Sequence, residues 1–145
     1  MSSACAMPGR ADAAVMDGHD VLAIHDLLAR YGHVVDDADW QKLSDVFSSD
    51  GVFDLEAIGR GRAQGMEELR ACFARLDHPL AHHTTNATIE GEDGDRAHVR
   101  CKYLVVSDDG RTRSGEYHDD VVRTAEGWRI ERRTVVPRRA RPGRA

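Results

Sequence analysis

An acidic helix end and a distant histidine pair are the residues of this sequence whose types could transfer a proton. Asp36 follows an apolar run with helical spacing that includes Tyr31 and Val35, so its carboxylate should lie at the edge of a buried helix face. His82 and His83 lie far along the chain, on a different element. An interior acid beside an interior histidine would form an acid/base site that needs no cofactor.

The two histidines cannot both serve such a site. Because His82 and His83 are adjacent on a predicted strand, their side chains point to opposite faces of the sheet, and only one can reach a pocket. The competing interpretation is structural, with a histidine satisfied within the sheet and Asp36 capping the helix end. A metal site of His33, His83 and His118 is a further alternative, but no ligand spacing supports it.

The composition limits the class of protein. The chain has 145 residues, 41% of them hydrophobic, which fits one domain with a real core and an internal pocket. Its net charge of -5 argues against a nucleic-acid binder, which would need a concentrated positive field. No apolar run approaches the roughly 20 residues of a membrane span. The 3 cysteines show no CxxC spacing, so we expect a cytoplasmic protein without disulfides.

The order of apolar periods predicts helices first and a sheet afterwards. A helical period predicts a first helix over about residues 21–35, with Asp17 or Asp20 as its N-cap. A short second helix should follow Asp37 or Asp39, carry Trp40 and the apolar residues up to 47, and stop at residues 48–51. The remaining predicted elements are a strand at 52–56, a glycine-rich turn at 58–62, a third helix at 66–76, and strands at 81–90, 97–106, 113–124 and 128–136. Along 97–106 the odd-numbered residues from Ala97 to Val105 alternate on the face expected to point inward, where Cys101 should be a small buried apolar residue.

These elements predict an α+β fold in which a curved, mostly antiparallel sheet packs on three helices of the N-terminal half around a pocket. Residues 1–17 are predicted to be a disordered extension, and the arginine-rich residues 137–145 a solvated basic tail. The folded domain should therefore span residues 18–136. We also expect a homodimer or higher homo-oligomer, because the exposed face of a long curved sheet usually needs a cover.

An ordered set of motifs spans about residues 18–136. The motifs are Tyr31-x4-Asp36-x2-Asp39-Trp40-x2-Leu43, Phe47-x2-Asp50-Gly51-Val52-Phe53, Gly65 before a helix, His82-His83, Gly94-Asp95-x-Ala97, Gly115-x-Tyr117-x-Asp119 and Gly127-Trp128-x-Ile130-x2-Arg133. This set resembles the SnoaL-like branch of the NTF2-like superfamily. The resemblance implies an α+β cone with its pocket between the long helix and the inner face of the sheet, often as a homodimer.

The resemblance also implies roles for particular residues. In the scytalone dehydratase and bile-acid 7α-dehydratase relatives, an Asp at the helix end and a His on a strand form the acid/base pair. Those positions fall on Asp36 and His83, and Tyr31 matches an active-site tyrosine. The bile-acid enzyme's further acid has no counterpart, since the matching strand offers Tyr103, Leu104 and Val105.

Further side chains are predicted to line the pocket. Alternation along residues 115–119 places Tyr117 and Asp119 on one face, although Asp119 could instead form a structural ion pair with Arg132 or Arg133, and we favour that bridge. Tyr31, Tyr103 and Tyr117 could donate hydrogen bonds to an enolate oxygen. The remaining candidates for substrate binding are Asn86, Trp40 and Phe53.

The sequence thus predicts a metal-free, cofactor-independent enzyme on a hydrophobic, oxygenated small molecule of aromatic, polyketide or steroid type. Dehydration, or an allied isomerisation or cyclisation, would use His83 as general acid/base, Asp36 as its partner and Tyr31 as a hydrogen-bond donor. A noncatalytic module that binds a ligand or a protein is the alternative. An epoxide hydrolase, with an Asp-Arg-Asp set drawn from Asp54, Arg100, Asp119 and Arg132, is a poorer match.

Overall fold

The computed structural model describes residues 16–139 and Gly143, with helices and early strands followed by a long meander. The α-helices are α1 (Gly18–Asp36) and α2 (Gly65–Arg75), and two 3₁₀ helices cover Trp40–Asp45 and Glu56–Ile58. The strands are β1 (Phe47–Asp54), β2 (Arg62–Gln64), β3 (Ala81–Asp93), β4 (Arg96–Val106), β5 (Thr112–Thr124) and β6 (Gly127–Pro137). The predicted α+β class is confirmed.

All six strands form one curved sheet in the order β2-β1-β6-β5-β4-β3. Every neighbouring pair is antiparallel except β1 and β6, which run parallel. The prediction of a mostly antiparallel sheet is therefore confirmed. Short turns join β3 through β6, so consecutive strands lie side by side. β3 is an edge strand of the sheet, and α1 packs against it.

Helix α1 supplies one wall of the core. Asp17 is its N-cap, because its side chain accepts a hydrogen bond from the Asp20 backbone N–H at 2.9 Å. The apolar stripe that begins at Ile24 and includes Tyr31 faces inward, where these residues are almost fully buried. On β4 the alternation from Ala97 to Val105 buries every second residue, as predicted.

The segment after the first 3₁₀ helix differs from the prediction. Residues 48–51 were expected to stop a helix that included Phe47, but they lie within β1, which Phe47 begins. Pairing with β6 flanks the segment: the Ile130 N–H donates to the Val46 carbonyl at 2.8 Å, Phe47 pairs with Ile130, and Val52 pairs with Arg132. Residues 48–51 therefore form an irregularity within a strand, and they do not end a helix.

The predicted terminal segments fall largely outside the described residues, which leave out 1–15, 140–142, 144 and 145. Two residues assigned to the extension belong to the described fold: Met16 packs against the core and Asp17 caps α1. At the other end, Pro137 closes β6. Within the part of the chain that the structure describes, no helix is long and apolar enough to cross a membrane.

Candidate active site

A cavity of about 410 Å³ lies between α1, the inner face of the sheet and the segment that follows α2. Its volume is in the range of small-molecule sites. Its wall is mixed, because tyrosine, histidine and charged side chains stand beside about as many apolar ones. The lining residues are Tyr31, Phe53, Leu55, Ile58, Arg60, Leu76, Asp77, His78, Pro79, His82, Tyr103, Val105, Arg113, Tyr117, Val135 and Pro137.

The carboxylate at the end of α1 binds a histidine of the edge strand. Nδ1 of His82 lies 2.7 Å from Oδ1 of Asp36, and the His82 backbone N–H lies 3.1 Å from both carboxylate oxygens. The His82 side chain is 7% exposed and the Asp36 side chain 28%. Asp36 thus joins the helix end to β3 and holds the ring of a residue that lines the cavity.

The prediction that Asp36 pairs with His83 is wrong. His83 is exposed on the opposite face of β3, because strand neighbours alternate. Register with β4 decides the phase: His82 lies opposite Val105 and Thr84 opposite Tyr103, and both β4 residues face the interior. At the start of β3, the even-numbered residues His82 and Thr84 therefore face the interior.

The sequence carried only part of the signal for His82, because the register of β3 also decides which histidine faces inward. The predicted alternation on β4 already placed its odd-numbered residues inward, and the two-residue turn Gly94-Asp95 pairs even positions of β3 with odd positions of β4. Two irregularities in β3, after Thr85 and after Ile89, each shift the register by one residue, so their combined effect preserves that parity.

Burial and the aspartate act in opposite directions on His82. Burial lowers its pKa and outweighs Asp36, whose hydrogen bond and charge raise it, so the net pKa lies below the ordinary value for histidine. Because the carboxylate is an acceptor, Nδ1 carries the proton of the neutral ring. Nε2 then holds a free lone pair, and no partner for it occurs among residues 16–139. The ring is suited to act as a base.

Three tyrosines line the cavity side by side, and a fully buried arginine that is not part of the lining contacts two of them. The Tyr31 and Tyr117 rings meet edge to face with centroids 5.7 Å apart, and Tyr103 lies against Tyr117 at 4.8 Å. The Arg133 guanidinium carbon lies 4.0 Å from the Tyr31 ring centroid and 4.1 Å from that of Tyr117. Burial raises the pKa of both Tyr31 and Tyr117, so their hydroxyls stay protonated and remain donors.

Asp119 forms the structural ion pair that the sequence analysis favoured. Its carboxylate accepts two hydrogen bonds from Arg133, at 2.8 and 2.6 Å, and both side chains are fully buried. Burial alone would lower the pKa of Arg133, but Asp119 outweighs it and holds the guanidinium charged. A register irregularity between β5 and β6 turns Arg133 inward, while its neighbour Arg132 binds Asp54 at 3.2 Å.

The other predicted binding residues separate into two groups. Phe53, Tyr103 and Tyr117 line the cavity, whereas Trp40, Asn86 and Asp119 do not. Trp40 lies behind the wall, against Phe73 with ring centroids 5.9 Å apart. Asn86 is exposed in the first irregularity of β3, with a positive φ of 52°.

Several cavity residues were not predicted, because nothing local in the sequence distinguishes them. His78 lies beside His82 with ring centroids 5.9 Å apart, and its Nε2 is 2.8 Å from the Phe73 carbonyl oxygen. Arg60, Asp77 and Arg113 come from three separate segments and supply the charged lining. Only His78 and Pro79 could have been predicted to line the cavity, because they come just before a predicted strand that faces the pocket.

The described residues give little support to a metal site, an epoxide hydrolase or a cysteine nucleophile. Within residues 16–139, no group of three or more His, Cys, Asp or Glu side chains is placed to hold a metal ion. The residues considered for an epoxide hydrolase do not converge, since Asp119 binds Arg133, Asp54 binds Arg132 and Arg100 binds Glu90. Cys101 is a buried apolar residue as predicted, and burial raises the pKa of its thiol to about 12.

Comparison with solved structures defines the class as NTF2-like. An NTF2-like protein with a cystatin-like fold from Novosphingobium aromaticivorans superposes with a TM-score of 0.74 at 28% identity, over 86% of this chain and 85% of that one. A proposed aromatic ring hydroxylase from the same organism gives a TM-score of 0.74 at 35% identity, over 86% of this chain and 93% of that one. The predicted fold is confirmed.

The family follows from the sequence comparison. The SnoaL-like domain profile matches residues 17–134. An uncharacterized protein of Mycobacterium tuberculosis is 31% identical over 141 residues, which cover 89% of this chain and 92% of that protein. The chain belongs to the SnoaL-like family, as its motifs predicted.

Proposed function

We propose that this protein is a cofactor-independent acid/base enzyme that dehydrates, isomerises or cyclises a hydrophobic, oxygenated small molecule. The observation that carries the proposal is the His82 ring, bound through Nδ1 to Asp36 while it lines a cavity of about 410 Å³. Membership of a family that includes dehydratases and cyclases supports it. The aromatic wall, and a relative described as a proposed aromatic ring hydroxylase, favour an aromatic or polycyclic substrate.

The first chemical step would be removal of a proton next to a carbonyl group. Nε2 of neutral His82 accepts the proton, and the Asp36 carboxylate stabilises the imidazolium that results. The electron pair of the broken C–H bond moves toward the carbonyl oxygen. Tyr31 and Tyr117 line the cavity, and their protonated hydroxyls would donate hydrogen bonds to that developing oxyanion.

The second step would return the proton from His82. Delivery to a leaving hydroxyl group on the β-carbon releases water and leaves a double bond conjugated with the carbonyl. Delivery to a different carbon gives an isomer. Because both outcomes begin with the same proton abstraction, the first step can be tested before the product is known.

The test is exchange of the α-hydrogen for deuterium in D₂O, followed by NMR over a panel of hydroxylated aromatic and steroid-like ketones. We expect His82→Ala to lower the exchange rate by about 10²- to 10⁴-fold, the usual contribution of a positioned acid/base group. His83→Ala is the matched control, since His83 is exposed on the other face, and should keep the wild-type rate. Wild-type exchange should also fall as the pH drops through the lowered pKa of His82.

Equal exchange by wild type and His82→Ala would refute the proposed base. Absence of exchange, with retained binding of panel ketones, would favour the second candidate, a noncatalytic ligand-binding module. A specific observation favours that candidate too: Asp36 accepts the His82 backbone N–H on both oxygens, which is a structural role independent of any chemistry.

A further inference from the structure

The charged side chains that line the cavity are Arg60, Asp77 and Arg113, and all three are exposed. We call these three residues the charged rim. It carries two positive groups and one negative group, although the whole chain has 20 Lys and Arg against 25 Asp and Glu. The rim therefore reverses the sign of the molecule's net charge at the entrance to the cavity.

The two rim arginines lack the carboxylate partners that their neighbours have. Arg62 lies 3.7 Å from Glu56, and Arg111 lies 2.6 Å from Asp109. Within residues 16–139, neither Arg60 nor Arg113 forms an ion pair or a side-chain hydrogen bond, with Asp77 or with any other group. Their guanidinium donors are thus open to a ligand.

The backbone holds each arginine at the entrance. Arg60 sits in a tight turn between two glycines of positive φ, where its N–H donates to the Leu55 carbonyl at 3.2 Å and the Leu55 N–H donates to the Gly61 carbonyl at 2.7 Å. Arg113 is opposite Val105 on the face of β5 that turns inward, two residues before Gly115. The arginines therefore border the cavity from two separate segments.

From these observations we propose that the substrate is an aromatic or polycyclic acid, whose anionic oxygen group binds Arg60 and Arg113 while its ring system lies among the aromatic residues toward His82. The inference rests on the proposed function, because it describes the substrate of the same cavity. Guanidinium groups present paired N–H donors that match the oxygens of a carboxylate or a phosphate, and such charge-assisted hydrogen bonds are the strong ones. The aromatic and aliphatic part of the lining accommodates the rest of the molecule.

The test measures equilibrium binding of three probes by calorimetry with the full chain: 2-naphthoate, 2-naphthyl phosphate and the neutral 2-naphthamide. We expect at least one anion to bind about tenfold or more tightly than the amide, the size of one charge-assisted hydrogen bond. The anion that binds more tightly shows whether the site prefers a carboxylate or a phosphate. Arg60→Gln and Arg113→Gln should each weaken the binding of that anion about fivefold or more and leave the affinity for 2-naphthamide unchanged.

Two matched variants separate a specific site from a general field. Arg75→Gln removes the same charge from an exposed arginine of α2 that does not line the cavity, and should change anion binding less than twofold. Asp77→Asn removes the negative charge of the rim and should strengthen anion binding. Equal affinity for anion and amide, or an equal loss in Arg75→Gln and Arg113→Gln, would overturn the inference.

These outcomes are independent of turnover. If anions bind more tightly than the amide but His82→Ala exchanges α-hydrogen as fast as wild type, the charged rim binds acids as proposed and His82 is not the catalytic base. If exchange depends on His82 but anion and amide bind with equal affinity, the proposed acid/base function is supported and the proposed acidic substrate is wrong.

Discussion

At the scale of single residues, one carboxylate holds both the backbone and the ring of one histidine. Asp36 accepts the His82 N–H on both oxygens and contacts the ring Nδ1 at 2.7 Å. The backbone contacts fix the strand, and the ring contact fixes the tautomer, so Nε2 is left as the basic atom. Burial of the ring keeps it neutral near pH 7.

Removal of the Asp36 charge should lower the pKa of His82 further. The hydrogen bond and the charge of Asp36 raise that pKa, whereas burial lowers it, so Asp36→Asn leaves the lowering effect unopposed. A pH titration of the His82 ring protons by NMR measures the change without any substrate. Asp37→Asn, at the exposed neighbouring position, is the control and should leave the titration unchanged. A higher pKa in Asp36→Asn would contradict this account.

At the scale of elements, the site depends on a close approach between α1 and β3. A Cβ atom at Gly32 would lie 2.9 Å from the His82 backbone carbonyl oxygen, so only glycine lets the helix come this near the strand. Asp36 is one helical turn further along α1. The spacing of the two elements thus sets the distance between the acid and the histidine.

The variant Gly32→Ala should push α1 away from β3. We expect it to destabilise the fold by about 1–3 kcal/mol, an overpacking cost that exceeds the gain in helix propensity. Urea unfolding measures this, and the His82 ring signals should shift because the Asp36 contact lengthens. Gly18→Ala in the same helix meets no atom within 4 Å and should keep or raise stability. Equal stability of the two variants would show that the approach is not tight.

At the scale of the whole molecule, a buried ion pair lies at the centre of the core. Arg133 on β6 and Asp119 on β5 are both fully buried, and the guanidinium stacks between two tyrosines that line the cavity. One buried ion pair therefore connects two central strands and contacts two tyrosines of the cavity wall. Loss of either partner would leave an uncompensated charge in the interior.

Asp119→Asn should accordingly cost about 3–5 kcal/mol, a large share of the roughly 5–15 kcal/mol that stabilises a typical domain. Urea or thermal unfolding measures the loss. Asp120→Asn, an exposed neighbour whose carboxylate lies 3.0 Å from His98, should change stability by only about 0.5 kcal/mol. The double variant Asp119→Leu with Arg133→Met should recover much of the loss, and a double variant less stable than Asp119→Asn would contradict an unpaired charge as the cause.

Much of the fold could be predicted because its signals are local. The helical period of α1 and the alternation on β4 depend on residues a few positions apart, and they predicted both elements. The motif set predicted the family and the participation of Asp36. Predictions were wrong where distant backbone partners decide, as in β1, where β6 pairs with Phe47 and Val52 and makes residues 48–51 an irregularity within one strand.

The sequence by itself therefore determined the α+β class, the family, the acid at the end of α1 and the tyrosines of the pocket. Tertiary structure alone decided which histidine meets that acid, which of Arg132 and Arg133 turns inward, and which charges border the cavity. The physical reason is that a side chain's face in a strand reverses with every residue, so pairing register and bulges set it. A cavity wall, moreover, is drawn from segments that only folding brings together.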